Sequence, residues 1–170
     1  MKKIILLYCL LSSWAYAVPQ PPSSAQLVTQ IQKNGAKSVI AKLYTDDEKE
    51  WMYVLEKIEK GNDDWLKIAS LLAPGSDADS AESLATAVAM AIPHNPSGVL
   101  AILNHENILP LSTDVVCALP FYSITRSQFN QYVIDSIQAL YKVAASKSCI
   151  DTMVNTLGRQ LPFIPLPRYD

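Results

Sequence analysis

Apolar residues recur along this chain at the spacing of one helix face. Ala36, Val39, Ile40 and Leu43 form one set, and Trp51, Val54, Leu55 and Ile58 the next. Trp65, Ile68, Ala69 and Leu72 follow, then Phe129, Val133, Ile137 and Leu140, and finally Cys149, Ile150, Met153 and Leu157. Steps of three and four keep residues on one side of a 3.6-residue helix, and no stretch alternates with the period of two that a half-buried strand needs. The pattern predicts an all-α protein: a compact antiparallel or orthogonal bundle of about six to eight short helices, with helical hairpins stacked. Segments 36–58 and 65–103 resemble α-solenoid pairs in outline, but their unequal lengths do not make a repeat.

The polar residues between these sets read as helix ends. Thr45 with Glu48 and Thr125 with Gln128 have the spacing of a capping box, in which the cap oxygen accepts from a free N–H and the third residue reaches back. Asp79 with Glu82 has the same spacing, and Asp77 and Asp79 lie where a helix dipole favours anions. Gly61 can take the left-handed conformation that ends a helix; Asn62 or Asp63 then caps the next, and Pro74-Gly75 closes it. Leu84, Val88, Ala91 and Ile92 give a buried stripe that Pro93 halts. Asn95 caps a fresh helix with Pro96 at its first position, where the missing N–H costs nothing. Residues 79–103 therefore predict an αα-hairpin, and Ala81, Ala85, Ala87, Ala89 and Ala91 let a neighbour approach closely. Thr125 opens the longest helix, Arg126 to Ala145, and Gly158 stops the last.

The first residues change the picture of where the chain goes. Lys2 and Lys3, the apolar run Ile4 to Leu11 and the small-x-small site Ala15-Tyr16-Ala17 have the three parts of a signal peptide. Residues 1–17 are expected to be cleaved, and residues 18–22 to form a Pro-rich leader. A single helical domain spans 23–158, and residues 159–170 form a Pro-rich extended tail whose Leu161, Phe163, Ile164 and Leu166 lie across the body. Cys9 does not make a lipoprotein signal, because Tyr8 fills the position before it. Without Lys2 and Lys3 the formal charge moves from −2 to −4, which argues against nucleic acid or an anionic membrane surface as partner. The expected product is periplasmic or secreted, without a stable membrane anchor. In an oxidising compartment two remaining thiols pair, so Cys117 and Cys149 are expected to be joined; the closely spaced ligands of a zinc or redox site are absent from the sequence.

Candidate chemistry is sparse. Ser76, Asp77, Asp79, Ser80 and His94 could be assembled into a hydrolytic site, yet neither His94 nor His105 belongs to a metalloprotease or nucleophile-elbow motif. Asp77-x-Asp79 fails as a calcium loop because Ala81 takes the next oxygen position. The five glycines of the chain leave little material for a phosphate-cradling loop, and no cofactor or metal is expected. The run Thr45 to Glu50 reads as a solvated helix start, and Trp51 and Trp65 as core. Tyr132 stands at the start of the long helix, and Phe121 and Tyr122 follow Cys117. With Asp46, Asp47 and Glu48 these last two make a candidate interface, aromatic anchors inside an acidic rim.

The segments GAKSVIAKLY (35–44), WLKIASLLAPGSDA (65–78), AIPHNPSGVL (91–100) and VCALPF (116–121) resemble an uncharacterised family of small exported bacterial proteins. The resemblance covers residues 35–121 and implies a mostly helical envelope protein, with no active-site residues to carry over. In architecture, an exported helical protein with one cysteine pair is similar to the immunity proteins of type VI secretion amidase systems. The function expected is non-catalytic binding to another envelope protein, as inhibitor, immunity or accessory protein. The alternative is a small envelope hydrolase using His94 or His105 as general base.

Overall fold

A computed structural model describes residues 21–104 and 110–160. The expected signal peptide, most of the expected leader, His105 and the residues from Leu161 onward lie outside the described residues. Helix α1 (Ser24–Asn34) begins with a box between Ser23 and Gln26 and buries Leu27 and Ile31. Gly35, at φ 79°, turns the chain into α2 (Ala36–Leu43). Next come α3 (Lys49–Glu59), α4 (Asp63–Leu72), a single 3-10 turn (Ala73–Gly75) and α5 (Ala78–Met90). The chain closes with α6 (Pro96–Ile102), α7 (Thr113–Val116), α8 (Arg126–Leu140) and α9 (Lys147–Gln160). The described residues thus form nine α-helices and no strand; one isolated bridge joins Asn104 to Ser112.

Helix α4 is the hub, packing on α1, α2, α3, α5 and α6. Its Leu66, Ile68, Ala69 and Leu72 are buried, and they meet a core that includes Leu27, Val54, Ile58, Leu84, Val88 and Ile92. Gly75 marks the closest backbone approach: a Cβ there would sit 2.3 Å from the Lys37 amide nitrogen. Helix α5 lies between α3 and α7, and α9 docks on α7 and α8. The Cys117–Cys149 disulfide, with Cα atoms 5.2 Å apart, ties the end of α7 to α9.

Several expected boundaries move. The Asp79–Glu82 box is not formed: Asp77 is the cap, its carboxylate accepting from the Ser80 amide while the Asp77 amide donates to the Ser80 hydroxyl. Serine is short enough to close this box against its own neighbour, which leaves Asp79 in the first turn and Glu82 exposed one turn later. Nor does Thr45 cap α3. Its hydroxyl donates to the Lys42 carbonyl at 2.6 Å, closing α2, and α3 starts without a side-chain cap. Between them Asp46, Asp47 and Glu48 all take positive φ, at 57°, 55° and 61°.

Asn95 and Thr125 do cap α6 and α8, and Asn62 caps α4. The 79–103 hairpin is replaced by another packing, in which α6 lies on α4 and α8. The Asn95 amide draws it there by donating to the Gly61 carbonyl and to Asp63, and Gly98 leaves room for Leu66. Helix α8 ends at Leu140 rather than Ala145, tightened by i→i+3 bonds from Lys142 and Val143. Gly158 does not stop α9; it lacks the positive φ that a helix-ending glycine adopts, and the helix continues to Gln160.

The cap assignment has a direct measure. Asp77→Ala is expected to lower stability by about 0.5–2 kcal/mol, and Asp79→Ala by less, in urea unfolding followed by circular dichroism. A larger loss for Asp79→Ala would place the cap there instead.

Candidate docking face

Two stripes of side chains lie side by side where α3 packs on α5. Helix α3 contributes Met52, Leu55, Glu56 and Glu59, and α5 contributes Asp79, Glu82, Ser83 and Thr86. Each set has the i, i+3, i+4, i+7 spacing of one helix face. Residues one step away on α3 (Trp51, Val54, Ile58) are buried, so Met52 is left 57% exposed beside the acidic side chains.

Three shallow hollows share these residues. The first runs from Asp47 and Lys49 along α3, and shares Met52, Leu55 and Glu59 with the second, which reaches α5. The second shares Glu82 with a third of about 300 Å³, floored by Ala78, Ala81 and Ala85 and walled by Pro110, Val115, Pro120 and Tyr122. Asp47 thus lines the first and Tyr122 the third of these adjoining hollows, which together are called the groove.

The groove is held by bonds beneath it. The Trp51 indole N–H donates to the Ser83 hydroxyl at 3.2 Å, and the Tyr44 hydroxyl donates to Asp79 at 3.0 Å. Burial, opposed by the Ser83 hydroxyl and helped by the charge of Asp79, pushes Tyr44 up to about 12, so it stays a donor. The Thr86 hydroxyl donates to the Pro120 carbonyl at 2.8 Å, anchoring the loop that carries Tyr122. The same loop is fixed at Cys117 by the disulfide and at Leu119, which is buried with φ 60°.

The predicted interface residues separate. Tyr122 is 80% exposed beside the third hollow. Phe121 turns inward, edge-on to Tyr132 at 4.6 Å and to Phe129 at 6.5 Å, so it supports the core rather than a contact surface. Asp47 lines the groove, Asp46 pairs with Lys49 at 3.5 Å, and Glu48 is exposed just ahead of α3. Met52, Glu59 and Thr86 were not foreseen from sequence; the available signal was an apolar Met52 on the otherwise polar side of an amphipathic helix.

The charge of the groove is uneven. Glu56 pairs with Lys60 at 2.7 Å, but Glu59 and Glu82 make no hydrogen bond or ion pair among the described residues. Glu59 is half-buried, and burial with the neighbouring Glu56 charge holds its carboxyl above the ordinary range. The hydrolytic candidates are used differently. Ser76 donates to the Ala73 carbonyl and Ser80 serves the Asp77 cap. His94 is exposed on the turn after α5, away from the Asp77 end of that helix. Among the described residues no three His, Cys, Asp or Glu side chains converge as metal ligands, and no helix is long and apolar enough to cross a membrane.

Fold and groove together define a disulfide-linked helical scaffold with a preformed acidic and apolar face. No protein family, curated protein or solved structure matched the chain when compared.

Proposed function

We propose that this protein works by binding another protein of the bacterial envelope, as an inhibitor, immunity or accessory protein, through the α3–α5 groove and Tyr122. The observation that carries this reading is an exposed aromatic, Tyr122, on an anchored loop beside one hollow, with exposed Met52 in the neighbouring hollow that shares Glu82. Large exposed apolar side chains beside a shaped depression are characteristic of protein contact sites. Export is supported by the charged, apolar and small-residue parts of residues 1–17.

Complementation of a deletion strain tests the reading. His94→Gln with His105→Gln is expected to restore the wild-type phenotype, whereas Met52→Asp with Tyr122→Ala is expected to fail while keeping the helical circular-dichroism spectrum. Each anchor removed should cost more than about 1 kcal/mol of binding. A folded double-histidine variant that fails to complement would overturn the binding reading in favour of an envelope hydrolase.

A further inference from the structure

The groove's free carboxylates and its apolar lining restrict what can occupy it. Glu82 faces a hollow otherwise lined by Ala78, Ala81, Ala85, Pro110, Val115, Pro120 and Tyr122, and with Glu59 it faces a second that holds Met52 and Leu55 beside the polar Asp79, Ser83 and Thr86. An occupant that brought only apolar groups would bury these carboxylates unpaired, which is costly. A second copy of this chain docking through the same face would bring carboxylate against carboxylate. Charge complementarity instead selects a cation carried on an apolar frame.

We propose, on the reading that this groove is a protein-docking face, that its occupant is a basic amphipathic segment of the partner, with an arginine seated in the Glu82–Tyr122 hollow. Arginine suits the hollow better than lysine on three counts. Its aliphatic stem can lie on Ala81, Ala85 and Pro120. Its planar guanidinium can meet a carboxylate with two parallel hydrogen bonds, and it stacks on an aromatic face. Further along the groove, apolar residues of the segment cover Met52 and Leu55, and a second basic residue meets Glu59. The loop holding Tyr122 is already fixed by the Thr86–Pro120 bond and the disulfide, so little ordering is needed on binding.

The test uses the full exported chain and four synthetic amphipathic peptides with identical leucines. Their polar positions carry arginine, lysine, citrulline or glutamate. The arginine peptide should bind tightest, with amide shifts confined to α3, α5 and residues 118–124, and the lysine peptide several-fold more weakly. The citrulline and glutamate peptides should lose at least tenfold. Glu82→Gln and Tyr122→Ala, both at exposed positions, should each weaken the arginine peptide about tenfold without changing the melting temperature. Equal binding of the citrulline peptide, or shifts elsewhere on the surface, overturns the arginine assignment. A dimer of the free protein that Tyr122→Ala dissolves overturns it in favour of self-association. If Met52→Asp with Tyr122→Ala fails to complement while the peptides show no charge preference, the docking face stands and the basic occupant falls.

Discussion

Trp51→Ala is expected to destabilise the protein by about 3–5 kcal/mol. Trp51 is only 1% exposed, its ring lies 5.2 Å from that of Tyr44, and its N–H reaches Ser83 on α5. Removing it opens a cavity between α2, α3 and α5 and leaves the Ser83 hydroxyl without its donor. A domain of this size has roughly 5–15 kcal/mol of stability in all, so the loss is a fifth or more of the total. The melting temperature should fall by roughly 6–20 °C. Trp51→Phe keeps most of the packing and should lose only about 1–2 kcal/mol for the missing hydrogen bond and the smaller ring. If the two substitutions cost the same, the hydrogen bond rather than the volume is what matters.

Loss of the disulfide should cost nearly as much, and in a different place. Cys117 and Cys149 are 32 residues apart, and closing a loop of that length lowers unfolded-chain entropy by an amount worth roughly 3–4 kcal/mol. Cys117→Ala with Cys149→Ala should therefore shift the urea midpoint strongly downward. The change should also be local. Helix α9 packs only on α7 and α8 among the more extensive helix contacts, so hydrogen exchange should accelerate first in α7, α9 and the 118–124 loop, before α1 to α4. An unchanged midpoint, or exchange that accelerates first around α4, would refute this division.

The helical class and the cysteine pair were legible in the sequence because each rests on a strong, redundant signal. The α3 and α4 faces follow from the same three-and-four spacing that buries Trp51, Val54, Ile58, Ile68 and Leu72. Thr125 with Gln128 is a longer-armed box than Asp77 with Ser80, and the general rule favours the longer arm; that preference assigned the α5 cap to Asp79 with Glu82. Helix α1 went unread although Ser23 and Gln26 have the box spacing, because Leu27 and Ile31 are the only residues it fully hides. The α6 packing was not legible at all. It depends on Asn95 reaching Gly61, and a contact 34 residues distant leaves no periodic trace. For the docking face, the acidic and aromatic parts were visible separately, but only folding puts α3 beside α5 and sets Tyr122 against the alanines of α5.

The three left-handed residues between α2 and α3 invert the usual relation between side chain and stability. Asp46, Asp47 and Glu48 each hold a backbone shape that glycine adopts without steric conflict, and that other L-residues adopt at roughly 1–2 kcal/mol apiece. Aspartate tolerates it better than glutamate, and β-branched residues tolerate it least. Glycine usually weakens a fold by loosening the unfolded chain, but here it would relieve the folded one. The connection is thus a reserve of stability that the chain could draw on without touching its core. Drawing on it would give up negative charge in the hollow that Asp47 lines.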